Sequence, residues 1–507
     1  MNEAPKRGGG RAARKAARAA GPAQHPAPPG QRGGQYRPLA TAEIDRIIAA
    51  AYTLLEQLGM GEVPESLAAH LMRAGCSILP NGRVSMPAKV VDRAIADAPK
   101  RFTLHGRDPA RSIEVGGDAV HFGTGGAAVE VLDLGTARYR AATLRDLHVF
   151  TRLQDGLDHV SWFTRCCIAT DMGNEWLLDL NTAYALMAHT TKPVATAFTL
   201  PEHVAPLADL FRIAGDFDAR PFVKAHISPV ISPMRFGEDA VAVTEACIAQ
   251  SIPLSCITAA QAGATAPATL AGFLAQSLAE TLASLVMVQV IRPGHPMVFS
   301  NWPFVIDLRT GAFAGGGGET ALLNAASAQI INHLGLPSGV AACMTDAKAI
   351  DAQYGTEKAM TATAAALAGG NLIYESAGMT ASLLGASFEA FLLDAEMHAQ
   401  IMRMLRGVEV SEDTLDITAI TEAVLGEGHF LGGAQTIAAM ERDYLYPELA
   451  DRATPTAWAE DGAQDAWGRA RAEVQRRLAE PGPDYLDRSQ TEQMRARFGD
   501  SLIPNPE

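Results

Sequence analysis

An α/β fold carrying a TIM (β/α)8-type barrel is what this 507-residue sequence predicts, on three observations. Short apolar runs recur at 160–170, 193–199, 221–229, 253–261, 296–304, 339–346 and 371–377, most of them opening near a proline. Each is followed by a stretch whose apolar residues have helical spacing. The runs are apolar almost without alternation, so both faces of each strand are buried, as in a parallel sheet covered by helices. Seven such units in succession over about 300 residues favour a barrel over a doubly wound sheet. An eighth, near 416–424, is ambiguous, because Ile417, Ile420 and Val424 suit a helix as well as a strand.

In chain order, residues 1–35 are rich in Ala, Gly, Pro and Arg without apolar anchors, and are expected to form a disordered basic tail. Residues 36–142 make an N-terminal layer. Ile44, Ile47, Ile48, Ala51, Leu54, Leu55 and Leu58 fall at helical spacing after Thr41, and the segment from Phe102 to Arg140 alternates and turns on glycine like short antiparallel strands. Residues 143–442 are the expected barrel and catalytic domain. Residues 443–507 add a helical extension, including an Arg/Ala/Glu-rich helix over 463–478, and a polar tail.

With 48% hydrophobic and 19% charged residues the chain has the composition of a large-cored globular protein. Its net charge of −14 is uneven: residues 1–35 carry seven Lys/Arg against Glu3, a net of +6, so the remainder carries −20. Such a body repels nucleic acid and acidic membranes, and its expected partners are small molecules, cations or a protein with a basic face. Six scattered cysteines without CxxC spacing, and basic N-terminal residues without an apolar stretch behind them, predict a reduced cytoplasmic protein without disulfides or a signal peptide. The most apolar stretch, 268–291, is interrupted by Gln276, Ser277, Glu280, Thr281, Ser284 and Gln289, which predicts a buried helix and not a membrane span.

Barrel enzymes carry their chemistry at the C-terminal ends of the strands. The residues closing the apolar runs are Thr170 and Asp171, Phe198 and Thr199, His226 and Ser228, Gln261, Asn301 and Trp302, Thr345 and Asp346, and Tyr374 and Glu375. Carboxylates, an imidazole, amides and aromatic rings at one mouth suit a cationic substrate, through charge attraction and contact with aromatic faces. Asp346, Glu375 and His226 are therefore the catalytic candidates, and Phe198, Gln261, Asn301, Trp302 and Tyr374 the substrate-binding ones. Asp346 and Ser228 have the competing role of helix caps, and His226 that of a strand histidine bonded to a backbone carbonyl. Gly315, Gly316, Gly317 and Gly318 expose backbone amides before the helix beginning near Leu322 and are candidates to cradle a phosphate or a large cofactor. The alternative is a mobile loop at the mouth. No GxxxxGK[ST] or properly placed GxGxxG is present, so a nucleotide is not expected. His226, Cys256 and Cys343 form a zinc set only if all three point into one barrel layer; core packing is the commoner use of such thiols, and no metal is expected.

Several segments resemble the trimethylamine:corrinoid methyltransferase family, specifically its members that lack pyrrolysine and include glycine betaine methyltransferase. They are VFSNWPF at 298–304, TDAK at 345–348 with DAQ at 351–353 and EKA at 357–359, AGGNLI at 368–373, GHFLG at 428–432, YP at 446–447 and DR at 451–452. The resemblance covers about residues 36–500 and is strongest from 295 to 455. It implies a barrel that moves a methyl group from a methylated amine to the Co(I) of a corrinoid (cobalamin) supplied by a separate corrinoid-binding protein. A homo-oligomer with no nucleic-acid or membrane partner is expected. Two departures stand out: all positions are standard amino acids, so no pyrrolysine is present, and GGAQT at 432–436 lacks a histidine expected after the glycine. The position replacing pyrrolysine is expected in the region 345–351.

Leaving-group chemistry explains how pyrrolysine is dispensable. A quaternary ammonium leaves as a neutral tertiary amine without prior protonation, whereas trimethylamine must first be made cationic. Positioning and electrostatics then suffice for a permanent cation, which favours a betaine-like substrate. The competing expectations are trimethylamine demethylation, a zinc-dependent or folate-linked methyltransferase, and a non-catalytic barrel that binds quaternary amines.

Overall fold

A computed structural model describes residues 25–504. Eight strands form one parallel sheet: β1 (His121–Phe122), β2 (Phe163–Thr164), β3 (Val194–Thr196), β4 (Val223–Ile227), β5 (Leu254–Thr258), β6 (Met297–Asn301), β7 (Ser338–Ala341) and β8 (Leu372–Tyr374). The strand order is β1-β8-β7-β6-β5-β4-β3-β2, a curled TIM-type arrangement. Its two edges also meet, since Gly123 and Trp162 make a parallel bridge and the Ser161 amide donates to the Phe122 carbonyl at 2.9 Å. A Cβ on Gly123 would lie 2.0 Å from the Trp162 indole, so only glycine admits this approach.

Each strand is followed by a helix: α1 (Leu144–Asp155), α2 (Glu175–Ala188), α3 (Pro201–Ala214), α4 (Glu238–Ala249), α5 (Leu270–Ile291), α6 (Gly318–His333), α7 (Ala352–Ala368) and α8 (Phe388–Arg406). Their starts follow the chemistry of the sequence. Thr143 and Asp146 form a capping box on α1, and the side chains of Asn174, Asp351 and Ser387 accept from first-turn amides of α2, α7 and α8. The apolar α5 is as expected a core helix, with 83% of its most hydrophobic window buried in protein. Its Glu280 accepts from the Ser232 hydroxyl at 2.6 Å and the Met234 amide at 2.8 Å.

Each of the seven runs proposed from the sequence overlaps a sheet strand, the one at 339–346 starting a residue after its strand does. The eighth strand is not at 416–424, which is the exposed helix Ile417–Leu425, but at His121–Phe122 in the segment expected to hold antiparallel strands. Two residues of strand carry too little pattern to separate a sheet strand from a hairpin strand. The neighbouring antiparallel strands do exist: Arg101–Leu104 pairs with Ile113–Gly116, and Leu104 and Val115 join the interior cluster of Trp162, Val298 and Tyr374. The expected disordered tail lies partly outside the described residues. Its remaining portion, 25–35, packs on the body: Ala27 is fully buried, Gln31 accepts from the Val120 amide, and the Gly34 amide donates to Leu367. Backbone hydrogen bonds and glycine contacts anchor it where apolar side chains are lacking. The six cysteines are free and buried.

Candidate active site

Along a strand, side chains alternate between the two faces. On β6 this puts Val298 and Trp302 in the interior cluster and Phe299 in the outer core between sheet and helices. Asn301, expected beside Trp302 at the mouth, faces outward instead, donating to Ser277 Oγ of α5 at 3.1 Å and Ser327 Oγ of α6 at 3.2 Å. On β4 the same rule pairs Lys224 with His226. The Lys224 Nζ donates to Ser255 Oγ at 3.0 Å and to the Tyr374 hydroxyl at 3.1 Å, and lies 4.5 Å from the Trp162 ring centroid.

Three expected residues do converge. The His226 ring centroid is 5.2 Å from that of Trp302 and 5.5 Å from that of Tyr374, and Trp302 and Tyr374 are 5.0 Å apart. Phe304 and Phe313 extend the aromatic surface, Phe304 lying 6.3 Å from Trp302. Gln261 is half-buried on a short parallel ribbon, Gln261–Ala262 against Phe304–Val305, which continues β5 and β6 beyond the sheet. Phe198 belongs to the outer core and not to this interior cluster. Ser228 is exposed beyond β4, and Thr170 and Asp171 tie the start of α1, the Asp171 carboxylate accepting from the Leu144 amide at 2.9 Å.

Glu375 follows Tyr374 at the end of β8, in a left-handed conformation with φ of 61°. Its side chain is fully buried against Gly125 and Gly126, and neither carboxylate oxygen has a hydrogen-bond partner. Burial pushes its pKa up to about 8, while the nearby Gly126 amide and Lys358 offset part of that rise. Burial, with Lys224 and Arg165 nearby, holds His226 well below its usual value, so the imidazole is neutral; burial likewise lowers Lys224 and raises Tyr374. His226 Nε2, Trp162 Nε1 and Trp302 Nε1 are also buried without partners. So many unpaired polar atoms in one interior mark a place built for a polar guest.

Asp346 is differently employed. Its carboxylate accepts from the amides of Gly315 at 3.0 Å and Gly316 at 3.2 Å and from Ser382 Oγ at 2.8 Å. Two of the loop's amides are thereby occupied, and a Cβ on Gly316 would sit 2.4 Å from the Glu357 carboxylate, so Gly315 and Gly316 offer no open cradle; Gly317 and Gly318 begin α6. The side chains of the zinc set diverge. His226 points inward, Cys256 lies in the outer core, and Cys343 packs beside His398, its Sγ 4.0 Å from Nε2, in the cluster around α7 and α8. Among the described residues no three His, Cys, Asp or Glu side chains converge on a metal position.

Residues that the sequence reading passed over include Lys224, detectable as the i−2 neighbour of His226 on one strand face, and Arg165. The latter lay inside a run taken to end at residue 170, whereas β2 ends at Thr164.

The class of the protein follows from its family: the family model for trimethylamine methyltransferase (MTTB) matches residues 7–499, and the chain belongs to that family of methyltransferases. Glycine betaine methyltransferase of Desulfitobacterium hafniense (strain Y51) is 27% identical over 465 residues, covering 90% of this chain and 95% of the relative. Trimethylamine methyltransferase MttB of Desulfitobacterium hafniense (strain DSM 10664 / DCB-2) is 29% identical, covering 77% of this chain and 79% of its own length. The MttB of Methanosarcina thermophila is 28% identical, with coverages of 77% and 82%.

Proposed function

We propose that this chain transfers a methyl group from a quaternary amine such as glycine betaine to the Co(I) of a corrinoid carried by a partner protein, on a (β/α)8 barrel closed through Gly123 and Trp162. The observation that carries the substrate class is the pairing of an aromatic wall, Trp302 and Tyr374, with the unpartnered Glu375 carboxyl on the strand that bears Tyr374. Ring faces attract a trimethylammonium group, and its positive charge next to Glu375 draws that carboxyl back toward its ionised form. Asp346 serves as a positioning residue that ties the glycine loop to the strand end.

The acceptor supplies an electron pair to the departing methyl carbon. As that bond forms, the C–N bond breaks, its electron pair stays on nitrogen and a neutral tertiary amine leaves; no proton moves. The chain's own task is to hold the cation, exclude water and align one N–CH3 bond toward the mouth. The neutral His226 and the buried Lys224–Ser255–Tyr374 chain keep the wall in place without adding a competing positive charge.

The test follows the absorbance of free Co(I) cobalamin with glycine betaine, choline, carnitine, proline betaine and trimethylamine supplied in turn. Methylation with one or more quaternary amines and none with trimethylamine is expected. Turnover with trimethylamine alone overturns the proposal.

A further inference from the structure

Arg165 immediately follows β2, at the C-terminal end of the sheet where the other mouth residues lie. It is half-buried, and among the described residues it makes no hydrogen bond or ion pair. Its guanidinium stays protonated and presents five donors, none of them taken by an acceptor on the protein, so they are free for a guest at the mouth. The acid that bears on it most strongly is Asp179. That carboxylate is already committed, accepting from the Thr199 amide at 2.6 Å, the Thr199 hydroxyl at 2.7 Å and His203 Nδ1 at 2.8 Å. Directly before Arg165, the Thr164 hydroxyl is buried without a partner, and on β4 so is His226 Nε2.

We propose that Arg165 binds the carboxylate of a zwitterionic quaternary amine, making betaines the substrate class of this site rather than quaternary amines that lack an acid group. The inference rests on the function proposed above and adds its anionic end. Strand order supports the spacing: β2 and β8 are separated only by β1, so Arg165 and Glu375 start from strand ends about 10 Å apart. In glycine betaine the ammonium nitrogen and the carboxyl carbon are two bonds apart. One such molecule reaches from the guanidinium, which matches a carboxylate with two parallel N–H donors, to the aromatic and carboxyl end. Thr164, next to Arg165 in the chain, and His226 on β4 offer further unpaired polar atoms to the guest.

Calorimetric titration of the full chain, without corrinoid, separates the two ends. The ligands are glycine betaine, tetramethylammonium, which lacks the carboxylate, and 3,3-dimethylbutanoate, which keeps the carboxylate and replaces the ammonium nitrogen by carbon. Wild type is expected to bind betaine most tightly. Arg165→Gln should weaken betaine by about 10- to 100-fold, the range of a hydrogen bond between charged groups, and leave tetramethylammonium within about two-fold. Arg165→Lys should recover part of the loss, and an unchanged melting temperature in both variants shows that the fold is intact. Betaine affinity unchanged in Arg165→Gln, or tetramethylammonium weakened as much as betaine, overturns the inference. If wild type instead binds 3,3-dimethylbutanoate as tightly as betaine and Arg165→Gln loses both, the anchor stands and the quaternary-amine reading fails.

Discussion

Lys358 and Asp394 meet at 2.5 Å with both side chains essentially sealed from solvent. Asp394 also accepts from the Tyr354 hydroxyl at 2.6 Å and from the Gly378 amide at 2.8 Å, so the pair pins α7 and α8 to the loop that leaves Glu375.

Removing one partner leaves a buried charge uncompensated. Asp394→Ala should therefore cost about 3–5 kcal/mol, whereas replacing Lys358 and Asp394 together by Met and Leu should cost much less. Urea titrations of the single and double variants measure both; equal losses would show that the carboxylate contributes only its packing volume.

Glu375 makes stability depend on pH with a definite sign. Its folded pKa of about 8 exceeds the ordinary 4.5, so the folded state holds the proton more tightly, and stability is lost as pH rises from about 4.5 through 8. Glu375→Gln should match wild type near pH 4 and exceed it increasingly up to pH 8.5, with about 5 kcal/mol as the ceiling at 1.36 kcal/mol per pKa unit. Denaturant midpoints across that range give the curve. A variant advantage that does not change with pH would mean that the carboxyl stays ionised.

Asn301, the last residue of β6, and Trp302, which follows it, should behave oppositely. Trp302→Ala removes a ring from the proposed cation wall and should raise the betaine dissociation constant several-fold to about thirty-fold, from about 0.5–2 kcal/mol of cation–π attraction. Asn301→Ala leaves the wall untouched and should act mainly on stability, by removing two buried hydrogen bonds, to the Ser277 and Ser327 hydroxyls, about 1–3 kcal/mol. Calorimetry and melting curves on both variants check the split; a larger affinity loss for Asn301→Ala would place the guest outside the sheet.

The contrast also shows what the sequence made legible. Seven strands were readable because doubly buried strands are apolar throughout, yet that uniformity hides which side chains face inward. Trp302 and Asn301 both close the same run, and only strand register sends one to the interior and the other to the helices. Glu375 was legible as an acid closing an apolar run. Asp346 looked equally suitable, and its commitment to Gly315 and Gly316 depends on a loop some 30 residues away in the chain. Arg165 escaped because the length of an apolar run overstates the strand inside it.

The pairing of His121–Phe122 with Leu372–Ile373 sets an order on assembly. The first strand leaves the ribosome long before its neighbour exists, and at roughly 5–20 residues per second the intervening chain takes on the order of 10–50 s to synthesise. Until then the edges at β1 and β8 cannot engage, and a two-residue strand is too short to recruit a foreign edge. Covering the edge at His121–Phe122 is thus deferred until Leu372–Ile373 has been made, near the end of the sheet's synthesis.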